Sequence, residues 1–345
     1  MDKFGFNILL DSQIDFSIKY KLILFRNLVN SLNISFGGFL EDSELEGMCT
    51  KFSMNITEKN LKCVYIYIPS SIDKNDIKFK RILNCYFFWL SYCIEFSNKL
   101  QKSFEVILNA SDWGIDNILS MTSTDIDNLI PDEYSMFQSK ELPRLRSWHN
   151  YEDFQHDWFR RKSEMFWRGS TTGHDIKSTR CLSELQRIKI CLKYSDINCF
   201  NMKITNIVQN YLPKQIINQW LVNIGLKGKI VGESKFTNYK YYPDIPGNNS
   251  LCGSWGVIKK HVRGNLVFKP DHQSKMFYDK YMHPWEHYIP VESDFSDLHK
   301  QFIWAENNQE KSAHIAWNGY FKSVTILKEI KSIFLDKIKT KIMIT

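Results

Sequence analysis

Two short apolar runs of β type, KCVYIYI (Lys62–Ile68) and FEVILNA (Phe104–Ala110), flank one apolar segment of helix length, Ile82–Leu100. Neighbouring parallel strands need a crossover of about a dozen residues or more, most often a helix. The order strand, helix, strand therefore predicts α/β units with a parallel sheet in the first half. The second half repeats the alternation. Met165–Arg168, Asn265–Lys269 and His287–Val291 read as strands, and Asp294–Asn307 as a helix. Ser178 can cap a further helix on which Leu182, Leu185, Ile188 and Leu192 keep helical spacing. Asn318-Gly319 reads as a stop signal, and residues 123–160, polar and with Pro131 and Pro143, as an irregular connector. Two consecutive α/β halves predict a ligand cleft at the carboxyl ends of strands. The expected domains are residues 1–150 and 151–322, followed by a basic amphipathic helix over 323–345 with Ile326, Ile330, Phe334 and Ile338 four apart. That helix is expected to pack back on the protein, with contact to a lipid surface as the alternative.

Composition narrows the class. Hydrophobic residues make up 43% and charged residues 24%, as in ordinary globular proteins. The net charge of +7 suits an anionic ligand or an acidic membrane surface, while the absence of any dense Lys/Arg block argues against nucleic acid. The apolar stretch Ile82–Ile94 is too short for a bilayer span, which takes roughly 20 residues. The first residues do not read as a secretory signal, and the 8 cysteines form no CxxC pair. Reduced thiols in a cytoplasm are expected.

The stretch MFWRGSTTGHDIKSTR (Met165–Arg180) carries the first chemical signal. Glycines let backbone N–H groups converge on an anion, and a following helix adds its positive end. Ser170, Thr171 and Thr172 supply hydroxyls; Arg168 and Arg180 supply planar forks that match phosphate oxygens. The alternative is a surface turn with one arginine in a salt bridge. No Walker motif occurs, which argues against an ATP-hydrolysing P-loop.

Further along come the Y-K-Y…D-I-x-G pattern, SWG…RGNLVFK, HPWEHYIPV, DFSDL and W-A…N…A…I-A…NG. Together with FWRGSTTG…R, in this order over about Ser163–Gly319, they resemble glycosyltransferase family 90. That family includes fungal capsule-associated transferases, animal protein O-glucosyltransferases and bacterial lipopolysaccharide-modifying enzymes. The resemblance implies an α/β fold of GT-B type, with two Rossmann-like domains and a cleft between them. It further implies an inverting transferase that moves glucose, xylose or a similar sugar from a UDP-sugar, in the bacterial branch to lipopolysaccharide core or another lipid-linked glycan. Expected partners are the UDP-sugar, a glycan or glycolipid acceptor and an anionic membrane surface, with no nucleic acid.

Carried onto this chain, the family's diphosphate-holding loop is matched by Arg168, Ser170 and Arg180, with Thr171 between them. Ser254 and Gly256 fall at its second diphosphate loop. There the chain departs from the pattern, because animal members carry an arginine where Gly256 stands; Lys259 or Lys260 can supply the charge. Asp112, in the N-x-x-D context of NASD, matches the family's catalytic base, and as a residue before Trp-Gly it can equally cap a turn. Glu286 is an alternative base. Asp244, Trp285, His287 and Tyr288 are candidates for the donor pocket. Asp125 and Asp127 form a DxD pair, but acidic residues also suit a helix start. With arginines available for the diphosphate, no metal cofactor is expected. Pro284 between His283 and His287 disfavours a metal-ligand pair on one helix face. A non-catalytic nucleotide- or sugar-binding protein on the same fold is the alternative function.

Overall fold

The computed structural model describes residues 16–32, 34–57, 61–73, 76–172, 181–209, 212–247 and 252–344. The chain forms two compact units, one running to Met136 and resuming at Glu329, the other Phe137–Lys328. The sequence reading places the divisions at 150 and 322.

The first unit contains α1 (Phe16–Ser31), β1 (Ser35–Asp42), β2 (Cys49–Ile56), β3 (Lys62–Pro69), α2 (Ile77–Leu100), β4 (Phe104–Asn109) and the short β5 (Leu119–Ser120). Helix α2 starts at Asp76, whose side chain accepts from the Lys78 N–H, and ends at Gln101 in the left-handed region (φ 54°). Its buried face of Phe79, Ile82, Leu83, Tyr86, Trp89, Leu90 and Cys93 follows the three-four spacing of an amphipathic helix. The main strand order is β1-β3-β2-β4. This sheet is mixed, where a parallel one is expected from sequence. β1 and β3 are parallel, but β2 is antiparallel to both β3 and β4. The reason is local. Residues 57–61 join β2 to β3, with the Thr57 N–H bonded to the Leu61 carbonyl, and so short a link can only reverse the chain. β3 and β4 do run the same way across α2, with β2 inserted between them.

The stretch expected to be an irregular connector holds two helices, α3 (Glu133–Glu141) and α4 (Tyr151–Phe159). Asn150 caps α4 by accepting from the Asp153 N–H, and Phe154 and Trp158, one turn apart, are fully buried.

The second unit is built on β6 (Lys162–Ser170), β7 (Phe200–Asn206), β8 (Tyr239–Pro243), β9 (Leu266–Pro270) and β10 (Ile289–Val291), in the order β7-β6-β8-β9-β10. Every pairing is parallel. Its helices are α5 (Gln186–Lys193), α6 (Lys214–Asn223), α7 (Val257–Val262), α8 (Leu298–Asn307) and α9 (Gln309–Lys328). In chain order the strands lie 2-1-3-4-5, a doubly wound arrangement whose order reverses between β6 and β8. The Asn318-Gly319 stop is not used: α9 runs through it. A Cβ on Gly319 would lie 2.5 Å from the His287 carbonyl and 2.7 Å from His261 Nδ1, so this glycine permits close packing within a continuing helix.

The C-terminal helix α10 (Ile330–Lys341) belongs to the first unit and leads into β11 (Met343–Ile344), which pairs with β4. Its apolar side is used there: Ile330, Phe334, Leu335 and Ile338 are buried, and the Phe334 ring stacks on Trp89 at 6.1 Å. Among the described residues no helix is long and apolar enough to cross a membrane.

Candidate functional site

In a doubly wound sheet the chain leaves the two strands at the order reversal in opposite directions, which opens a crevice at their carboxyl ends. Here those ends carry Ser170–Thr172 after β6 and Asp244–Gly247 after β8. The residue that spans them is Arg187, near the start of α5 and 9% exposed. Its Nη1 donates to the Thr172 hydroxyl, and also to the Ser170 carbonyl at 3.3 Å and hydroxyl at 3.4 Å. Its Nε donates to the Pro246 carbonyl at 2.8 Å and its Nη2 to the Ile245 carbonyl at 3.4 Å. The guanidinium also lies 5.4 Å from the Trp167 ring centroid. Burial lowers its pKa, against the opposing pull of Tyr242 and Asp244. Among the described residues its hydrogen-bond acceptors are carbonyls and hydroxyls. Such a group is suited to an anion with several oxygens.

The residues expected at this loop separate into groups. Ser170 and Thr172 are at the crevice, their hydroxyl oxygens 2.8 Å apart. The Thr171 hydroxyl is buried and bonded to both the carbonyl and the N–H of Val208, so it fixes the loop. Arg168 is turned back along the sheet. It donates to the Trp167 and Asn201 carbonyls and to Asn201 Oδ1 at 2.7 Å, with its guanidinium 4.2 Å from the Phe166 ring centroid. Asn201 pairs with Phe166 on the adjacent strand, so Arg168 points away from the carboxyl end where a phosphate is expected. Arg180 lies outside the described residues. Sequence reasoning passed over Arg187. Its signal is an arginine on the buried face of α5, in register with Ile190 and Cys191 three and four residues on.

The second loop is anchored by Asp244, which is fully buried. Its Oδ1 accepts from the Ser254 N–H at 2.8 Å; its Oδ2 is 3.8 Å from His272 Nε2 and 3.9 Å from Lys269 Nζ. Lys269 also pairs with Asp279 at 3.3 Å. Burial pushes the Asp244 pKa up, yet His272, Lys269 and the Ser254 N–H outweigh it, and the carboxyl titrates below its ordinary range. Gly253 is demanded by this packing, since a Cβ there would sit 2.5 Å from Asp244 Oδ2. Gly256 is different: it precedes α7 with open space where a side chain would project. Lys260 does not supply the missing charge. Its Nζ pairs with Glu233 at 2.6 Å and lies 3.5 Å from the Phe236 ring centroid. Lys259 is partly exposed on the same helix.

The segment Trp285–Tyr288 is divided too. His287 is buried, and its Nδ1 accepts from the His283 N–H at 3.0 Å, which closes a turn. Tyr288 faces the Lys269–Asp279 charges; burial, the larger effect, raises its pKa. Trp285 and Glu286 border a separate groove with Trp304, and none of the crevice groups lines it.

Asp112 belongs to the first unit, in the loop leaving β4. Asn109 shapes that loop by accepting from the Ser111 N–H and donating to the Trp113 carbonyl. Asp112 Oδ1 accepts from Arg81 Nη1 at 2.6 Å, and the carboxylate is 16% exposed. Glu286 is 58% exposed and 3.6 Å from His287 Nε2. Asp125 caps a single 3-10 turn over Ile126–Asn128, accepting from the Asp127 N–H at 2.9 Å. Among the described residues no grouping of His, Cys, Asp and Glu has the form of a metal site.

Comparison with known proteins adds a family to this geometry. The sequence model of glycosyl transferase family 90 matches residues 113–326, starting one residue after Asp112. Human protein O-glucosyltransferase 3 is 28% identical over 102 residues, which is 30% of this chain and 20% of that protein. Uncharacterized protein 027R of Frog virus 3 is 26% identical over 185 residues, 49% of this chain and 18% of its own length. The chain thus matches about a fifth of the length of these relatives. Among solved structures, sucrose-phosphate synthase from Thermosynechococcus elongatus aligns over 93% of this chain and 92% of its own, at 10% identity and a TM-score of 0.39. The chain belongs to glycosyl transferase family 90.

Proposed function

We propose that the protein transfers a sugar from a UDP-sugar to a saccharide acceptor, with inversion at the anomeric carbon. The observation that carries this reading is Arg187 across the order reversal of the parallel sheet, with the Ser170 and Thr172 hydroxyls beside it. A diphosphate leaving group gathers charge as its bond to the sugar breaks, and fixed donors at that point lower the barrier. In the reaction the acceptor oxygen attacks the anomeric carbon and the carbon–oxygen bond to the diphosphate breaks. The acceptor proton passes to Asp112, whose carboxylate Arg81 orients. Arg187 supplies the charge that a metal ion would otherwise provide, so the reaction proceeds without one. The human relative's name favours glucose as the sugar; xylose is the other sugar that the sequence resemblance implies. The acceptor is a glycan or glycolipid, lipopolysaccharide core among them, met on the cytoplasmic side.

The test is direct. The purified chain is incubated in EDTA with UDP-glucose or UDP-xylose and a panel of oligosaccharide and glycolipid acceptors, and product anomers are read by NMR. A β-linked product from the α-linked donor supports the reading. Retention of configuration, or strict dependence on a divalent ion, overturns it.

A second reading, binding of the nucleotide sugar without turnover, is favoured by the Arg81–Asp112 pair, because a carboxylate already held at 2.6 Å by a guanidinium serves a structural contact as it stands. UDP binding combined with no transfer to any acceptor, and no hydrolysis, would select it.

A further inference from the structure

Trp285 adopts a backbone conformation that bulky L-residues avoid, with φ at 64°, and yet its side chain is 46% exposed. The turn that imposes this is fixed from inside. The Trp285 N–H donates to the Tyr288 carbonyl at 2.8 Å, the His287 N–H to the His283 carbonyl at 2.9 Å, and the His283 N–H to the buried His287 ring at 3.0 Å. Strain held in place by buried groups, at a bulky residue left nearly half exposed, is the pattern of a functional position. The indole is braced rather than loose: Trp304 meets it at 4.9 Å between centroids and 72° between planes. The two rings border a groove of about 490 Å³, within the range of sites for small ligands. Glu286, Glu310, Lys311, His314, Ile315 and Asn318 also line it, and the exposed lining is almost wholly apolar, with few polar atoms beside the aromatic floor.

We infer that this groove is a saccharide-binding site, separate from the donor crevice, that stacks a sugar ring on Trp285. A neutral sugar presents an apolar C–H face to an aromatic ring and hydroxyls at its edge, which matches an indole floor with carboxylate, imidazole and amide groups around it. Two carboxylates, Glu286 and Glu310, against the single cation Lys311 disfavour a phosphorylated or carboxylated ligand. The groove would hold part of a longer glycan away from the reacting sugar, and it does not depend on which nucleotide the crevice takes.

The experiment titrates the full chain, with and without saturating UDP, with maltohexaose, cellohexaose and xylohexaose. Indole N–H resonances are followed by NMR in wild type, Trp285→Gly and Trp285→Ala. At least one oligosaccharide should shift the Trp285 and Trp304 resonances saturably at millimolar concentration, equally with UDP present. Affinity should fall at least about tenfold in both variants. Trp285→Gly should also melt no lower than wild type, since glycine relieves the backbone strain. Shifts confined to other tryptophans, no saturable shift with any oligosaccharide, or unchanged affinity in Trp285→Gly would overturn the inference. Mapping on the wild-type protein decides the matter even if a variant fails to fold. Loss of UDP binding by itself would count against the donor crevice and leave this groove untouched.

Discussion

Arg81 Nη1 and Asp112 Oδ1 lie 2.6 Å apart, both largely withdrawn from solvent. The pair sets the orientation of the carboxylate. Asp112→Asn keeps the shape and an acceptor for Arg81 but cannot take up a proton. Its transfer rate should fall by roughly 10²–10⁴, the usual share of a general base, with UDP affinity unchanged. Single-turnover rates alongside calorimetry would separate the two effects; equal transfer rates in both proteins would remove Asp112 from the chemistry.

Two nearby glycines should respond oppositely to substitution. Gly253→Ala places a methyl 2.5 Å from a carboxylate oxygen in a fully buried site, so overpacking should cost about 1–3 kcal/mol. Gly256→Arg enters open space and should alter stability by no more than about 1 kcal/mol. It should also tighten UDP binding by adding a cation beside the second loop. Urea unfolding curves for the two variants check the contrast, and similar losses in both would contradict the packing described.

Glu133, at the start of α3, is nearly buried, and burial raises its pKa from 4.5 to about 7; Asp132 adds to the shift, while Arg81, Lys21 and Asn84 oppose it. The folded state therefore binds more protons than the unfolded state between those values, and this group makes stability fall as pH rises from about 4.5 to about 7. Glu133→Gln should remove that loss. The variant should match wild type near pH 4 and exceed it above pH 7 by up to roughly 3 kcal/mol. Denaturant melts across this range test it; a difference that does not change with pH would refute the assignment.

Much of the second unit can be read from residues alone. Strands such as NLVFK and the helix before Asn307 declare themselves because continuous apolar runs and helical periodicity are local properties. Tertiary contacts override local signals elsewhere. Asn318-Gly319 looks like a stop, yet Gly319 answers to the His287 carbonyl against it. The insertion of β2 between β3 and β4 is a pairing decision that CTKFSMNI does not advertise, since its buried residues do not alternate cleanly. At the candidate site, Ser170 and Arg168 share a strand but not a destination. Asn201 on the neighbouring strand draws Arg168 away, and no spacing rule within one strand reveals that partner. Arg187 escaped because an arginine in an apolar helix pattern reads as an interruption until Thr172 and Pro246 are seen around it.

The central claim is that Arg187 at the β6–β8 order reversal holds a nucleotide diphosphate. Calorimetric titration of UDP in EDTA tests it most directly, using wild type, Arg187→Gln and Thr172→Val, with near-UV circular dichroism to verify folding. The account expects saturable binding by wild type, a loss of roughly 10- to 100-fold in Arg187→Gln, as for removal of a charged hydrogen-bond donor, and a smaller loss in Thr172→Val. UDP affinity unchanged in both folded variants would contradict it.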